Sequence, residues 1–363
     1  MEKYLLGVDY GTGGAKAVII NTQGEELAYA FEEYPIITEF PGWSEHDANR
    51  YWEAACRLIK KCLSESGVNP GTVAGLAVSS ALPSLVLADK NCSPLQNAYN
   101  LMDKRATKEV QWLQDNIGEE VIFNVSKNRL EDHPIITNLM WERNNRPETF
   151  KNIHKALTID GFINAKLTGK FTSHYSAAAF YGVAYDLINR KFNTEMLDKI
   201  GISPDLFPDL YRCEDIIGTV TSKAAKETGL AEGTPVAAGQ VDCNAGWMGA
   251  GAVEEGDLQM NLGTCGNFGI ITKDTNFPET MINFAYTTNS ESTYIIVPTT
   301  TTGGQLIRYM RDNFYKMEMG AQDIYGVDTF DLINREAEKI PPGSEGLLTL
   351  PFLMGERTPI WDV

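Results

Sequence analysis

The chain has 363 residues, more than one ordinary hydrophobic core accommodates, so two domains are expected. It carries 31 Lys and Arg against 48 Asp and Glu; this balance of −17 speaks against nucleic acid or an anionic membrane surface as a partner. The six Cys include no Cys-x-x-Cys pair, and the four His are not spaced as a metal pair. That is the pattern of free thiols in a reducing cytosol. No apolar run reaches spanning length and the N-terminus lacks a signal-peptide pattern, so a soluble cytoplasmic protein is expected.

Residues 4–21 read Y-L-L-G-V-D-Y-G-T-G-G-A-K-A-V-I-I-N. An apolar strand ends at the lone acid Asp9, a turn follows through Gly11, Thr12, Gly13 and Gly14, and Lys16 precedes a second apolar strand over 17–20. A turn of bare backbone and one hydroxyl suits a phosphate, because its N–H groups can converge on an anion. Asp9 at the strand end is placed to hold Mg²⁺ through oxygens or waters. An ordinary hairpin turn with an acid at its mouth stays open as the alternative.

Residues 25–33 read as a third strand. Ser44-Glu45-His46-Asp47 reads as a capping box, followed by a helix burying Trp52, Ala55, Cys56, Ile59, Cys62 and Leu63. Strands are expected at 73–80 and 85–88, and helices at 107–116 and 131–145. A strand edge and helix follow at 156–169, then a helix over 186–200. Near Thr234 the composition shifts to Gly and Ala. A short strand at 235–238 leads into G-Q-V-D-C-N-A-G, and a second hairpin spans 258–272 around Gly263, Thr264, Cys265 and Gly266. It echoes the first, each being strand, Gly-Thr-x-Gly, strand, which suggests two related halves that each offer a phosphate loop to a shared cleft. Gly303 and Gly304 open a helix through Phe314.

Six stretches, in order, resemble the FGGY carbohydrate kinases of the actin-like, ribonuclease-H-like ATPase superfamily. They are G-V-D-Y-G-T-G-G-A-K, P-G-W-S-E-H-D, the Asp-x-Arg of Asp103-Lys104-Arg105, A-G-Q-V-D-C-N-A-G, N-L-G-T-C-G and L-P-F-L-M-G-E-R-T-P. The wording looks most like the xylulokinases. The resemblance implies an α/β fold of two actin-like domains flanking a cleft, with an N-terminal sugar-binding domain over 1–243 and a partial nucleotide-binding domain over 244–363. Family chains continue further, through an adenine-contacting segment, so the second domain is expected to be incomplete.

The implied activity is ATP-dependent phosphorylation of a sugar hydroxyl, on a ketopentose such as xylulose or a related ketose or polyol. Asp242 is the expected general base, with an N-cap as its bland alternative. Asp9 is assigned to Mg²⁺. Gly11, Thr12, Gly13, Lys16, Gly263, Thr264, Gly266, Gly303 and Gly304 are assigned to ATP; Ser79, Ser80, Asp103 and Trp43 to the sugar. For Asp103 the alternative is a plain pair with Arg105, and for Trp43 a core or hinge role. Glu356 and Arg357 read as a structural pair.

Three positions depart from the family pattern: Ser79-Ser80-Ala81-Leu82-Pro83 stands where Gln-Met-His faces the sugar, Cys243 replaces Asn, and Asn138 replaces Lys. These leave the sugar open and motivate an alternative: a catalytically silent sugar- or nucleotide-binding regulator. A dinucleotide dehydrogenase is set aside, since the early glycines lack G-x-G-x-x-G and a strand follows them. A homodimer is one option for the assembly.

Overall fold

The computed structural model describes residues 2–130, 135–263, 265–352 and 355–361. Its chain divides into two compact units. The larger comprises residues 1–257, 271–279 and 283–295, and the smaller comprises 258–270, 280–282 and 296–363.

The larger unit is built on one sheet. β1 (Tyr4–Tyr10), β2 (Gly14–Asn21) and β3 (Glu26–Glu33) form an antiparallel meander. Alternating burial along β2 marks a strand with one face on the core. After α1 (Ala48–Ser66), β4 (Val73–Ser80) adds to the other side of β1 in parallel. Late in the unit come β5 (Ile216–Thr219), β6 (Pro235–Ala237) and β7 (Gln240–Val241). The order is β5-β6-β4-β1-β2-β3, with β7 also paired to β4. Three strands thus run parallel beside one another, and their carboxyl ends reach one edge of the sheet.

Two helices close the core. α1 packs on β2 and β3, and α2 (Ile159–Thr168) packs on β4; the two touch each other. The buried stripe of α1 is Tyr51, Ala54, Ala55, Leu58, Ile59, Cys62 and Leu63. It is turned slightly from the expected face, leaving Trp52 and Cys56 half-buried. The capping box is not formed. Glu45–His46 is a two-residue strand paired with Ala98–Tyr99, and Asp47 caps the helix by accepting from the Asn49 N–H at 3.0 Å. The pairing takes Ser44 into an extended segment and moves the helix start to Ala48.

Most other expected elements are present, including helices at Thr107–Asn116 and Ile135–Asn145; residues 131–134 lie outside the described residues. The helix expected over 186–200 is a hairpin, Tyr185–Asp186 with Lys191–Phe192, before a short helix, Thr194–Ile200. Asp186 folds the turn by accepting from the Ile188 and Asn189 N–H groups, which competes with helix formation.

In the smaller unit, the second expected hairpin forms from β8 (Leu258–Leu262) and β9 (Gly266–Thr272), and α4 (Gly304–Phe314) begins at the glycine pair. Glu356 is buried there. Its carboxylate accepts from Thr300 Oγ1 at 2.6 Å and the Thr301 N–H at 2.9 Å. It therefore braces the end of the short strand Thr299–Thr300, which pairs with β9, and among the described residues it makes no ion pair with the Arg357 guanidinium, contrary to the expected pair.

Candidate active site

Parallel pairing places the key residues. Asp9 on β1 lies opposite Ser79 on β4; Gln240 and Val241 on β7 lie opposite Ser79 and Ser80. Asp242, next along the chain, opens α3 (Asp242–Gly249). Two carboxylates far apart in sequence thus come to the carboxyl ends of the two parallel strands that flank β4, where open α/β sheets bind ligands.

Asp242 is only partly exposed. Its one hydrogen bond among the described residues comes from the adjacent Cys243 N–H, at 2.7 Å to Oδ1. The N-cap is Val241, so the capping alternative for Asp242 does not hold. Burial pushes its carboxyl up to about 6, with the Asp9 charge adding to the rise; the Cys243 N–H and Lys16 oppose it. A carboxylate so tuned is ionised at neutral pH and basic enough to take a hydroxyl proton. Burial and the Asp242 charge hold the neighbouring Cys243 thiol protonated.

Asp9 Oδ1 accepts from Ser79 Oγ at 2.7 Å, and Oδ2 lies 3.8 Å from Lys16 Nζ. Lys16 is half-exposed, so this pair is loose and screened. Between β1 and β2 the turn is pinned by the Gly11 N–H on the Gly14 carbonyl at 2.9 Å. Among the described residues, the N–H groups of Thr12 and Gly13 have no hydrogen-bond partner. Gly14 rather than Gly13 is the crowded glycine: a Cβ at 14 would sit 2.6 Å from the Glu32 carbonyl oxygen, whereas at 13 it meets open space.

The second glycine set gathers within the smaller unit. The Gly304 N–H donates to the Gly263 carbonyl at 2.7 Å. A Cβ on Gly303 would lie 2.5 Å from the Cys265 carbonyl carbon, and one on Gly266 would lie 2.7 Å from Thr300 Cγ2. The hairpin turn and the start of α4 are therefore in backbone contact. Thr264 lies outside the described residues.

The four expected sugar residues do not converge. Ser79 faces Asp9. Ser80, one residue on, turns to the opposite face and donates to Asp160 Oδ1 at 2.5 Å. Asp160 in turn lies 3.0 Å from His174 Nε2, both fully buried. Asp103 is 1% exposed, with Oδ2 accepting from the Ser44 N–H at 2.8 Å and both oxygens bonded by Arg105. Trp43 lies under the same guanidinium at 3.7 Å, edge-on to Trp141. Asp103 and Trp43 therefore belong to a buried knot around Arg105, which Glu45 also binds at 2.6 Å.

The Asp160–His174 pair has a pH signature. Although burial opposes it, the Asp160 charge raises His174 to about 10, and the partner charge holds Asp160 below its usual value. His174 thus contributes stability that is fully present below its unfolded value near 6.5 and is lost as pH rises toward 10. The urea midpoint of the wild type is expected to fall between pH 7 and 10 more steeply than that of His174→Gln. Parallel curves for the two would refute the charged pair.

Residues 4–249 match the model for the N-terminal domain of the FGGY family of carbohydrate kinases. The chain belongs to that family. It is 29% identical over 99% of its length to the xylulose kinase of Bacillus subtilis and 24% identical over 100% of its length to the gluconokinase of the same organism. In each case it spans 70% of the relative. The fold is that of these kinases. The structure of a xylulose kinase from Rhodospirillum rubrum superposes with a TM-score of 0.90 at 22% identity, covering 99% of this chain and 72% of that one. Among the described residues of this FGGY chain, no helix is long and apolar enough to cross a membrane.

Proposed function

We propose that the chain moves the γ-phosphoryl group of ATP to a hydroxyl of a ketose or polyol, with Asp242 as general base. The supporting observation is one carboxylate raised to about 6 at a strand edge shared with Asp9, beside a turn with two unused N–H groups. Asp242 accepts the hydroxyl proton as the oxygen attacks phosphorus. Thr12, Gly13 and Lys16 hold phosphate oxygens from the first loop, and Gly263, Thr264, Gly266, Gly303 and Gly304 do so from the second. Residues 1–243 form the sugar-binding part and 244–363 contribute to nucleotide binding. Ser79 contacts the sugar beside Asp9, while Ser80, Asp103 and Trp43 support the site from behind, through Asp160 and the Arg105 knot.

The residues fit Mg²⁺. Among the described residues, no cluster of three or more ligating side chains could cage a metal. Mg²⁺ needs only one or two carboxylates plus water and phosphate oxygens, and Asp9 Oδ2 offers one. When bound there, Mg²⁺ would neutralise charge building on the phosphate oxygens.

The test is coupled ADP release on a panel holding D-xylulose, other pentuloses, gluconate and glycerol. One ketose or polyol is expected to raise ADP release at least tenfold over the sugar-free rate. A sugar that binds by calorimetry yet releases no ADP would replace the kinase reading with the silent regulator.

A further inference from the structure

The first loop leans on a wall that no motif predicted. The Tyr34 hydroxyl donates to the Gly11 carbonyl, and the Tyr34 N–H donates to the Gly13 carbonyl at 3.3 Å. One residue thus ties down both flanks of the turn. Its ring is held edge-on by His46 at 4.9 Å and Tyr51 at 5.5 Å. Tyr51 is anchored in turn, by a 2.7 Å contact to His46 Nδ1 and by its carbonyl, which accepts from the Tyr10 hydroxyl at 2.8 Å. His46 is buried, and its Nε2 has no hydrogen-bond partner among the described residues.

In a trans peptide the C=O and the following N–H point in opposite directions. Fixing the Gly11 carbonyl against Tyr34 turns the Thr12 N–H away from the wall. The Gly13 N–H belongs to the same turn, whose far side the Tyr34 N–H holds at the Gly13 carbonyl. These are the two loop N–H groups without a partner among the described residues. Without the wall, a flexible Gly-Thr-Gly-Gly turn would sample many orientations, and ordering it on binding would cost conformational entropy.

We infer that Tyr34 is a positioning residue that presents the Thr12 and Gly13 N–H groups to a phosphate of the nucleotide. This rests on the kinase reading above. Tyr34 touches no reacting atom; it acts through the backbone it restrains.

The test is titration calorimetry of the full chain with Mg-ATP, and separately with the sugar the activity panel selects, for wild type, Tyr34→Phe and Tyr51→Phe. Tyr34→Phe keeps the ring and removes only the hydroxyl bond to Gly11. It is expected to weaken Mg-ATP about fivefold to tenfold, the scale of one lost hydrogen bond, while sugar affinity and the thermal midpoint hold. Tyr51→Phe removes a hydroxyl from the same cluster without touching a loop carbonyl, and is expected to leave Mg-ATP affinity unchanged. Equal Mg-ATP affinity in Tyr34→Phe and wild type overturns the inference, as does an equal loss in both variants, which would mark general packing. A wild type that binds no Mg-ATP overturns the kinase reading and this inference together.

Discussion

Asp242→Asn is expected to lower turnover by about 10²–10⁴-fold, the range carried by a positioned general base. The amide keeps the shape and can still accept from the Cys243 N–H, but it cannot take a proton. Because burial and Asp9 both disfavour the charge, losing it removes a strain, so the variant should be at least as stable as wild type. Mg-ATP and sugar should bind within a few-fold of wild type. The pH profile carries the same signature. A base must be deprotonated to act, so kcat/KM should rise tenfold per unit up to about pH 6 and level off above it. Steady-state kinetics from pH 4.5 to 8.5 on the best sugar check both points. Turnover within a few-fold of wild type in Asp242→Asn would remove Asp242 from the mechanism.

What the sequence showed clearly was what local patterns encode. The two hairpins, the strand before Asp242 and the glycine start of α4 each carry a period or a breaker readable within a few residues. The parallel pairing of β1, β4 and β7 is not local. It links Asp9, Ser79 and Val241 across long stretches of chain, and no sequence expectation named it. Asp103 and Trp43 show the converse. Their motif spacing is as expected, but Arg105 folds back on both and Asp103 keeps no oxygen free of protein partners. Tyr34 left no sequence signal, because its role is a hydroxyl reaching backbone far along the chain. His174 was likewise invisible: one His, one Asp and a buried charge that only tertiary contact creates.

The largest stability effect is expected at Gly239, which sits between β6 and β7. Val236 pairs with Leu76 and Gln240 with Ser79, so four steps on one strand match three on the other. The extra residue is absorbed as a bulge, with Gly239 at φ +99° and its N–H on the Cys213 carbonyl at 3.2 Å. A Cβ there would overlap the Val78 carbonyl oxygen, a backbone atom of the central strand that cannot swing aside. Left-handed strain and overpacking together put Gly239→Ala at about 3 kcal/mol or more. Gly233→Ala is the matched control: φ is +88°, but its Cβ meets nothing within 4 Å, so only strain of about 1–2 kcal/mol remains. Function should separate the two further. Relieving the overlap at 239 must shift the chain three residues before Asp242, displacing the carboxylate from Asp9. Gly239→Ala protein that still folds should therefore lose activity well beyond its loss of stability, and Gly233→Ala should not. Urea unfolding and ADP release on both variants decide it. Equal midpoints and equal turnover would mean that the bulge neither crowds Val78 nor aims Asp242.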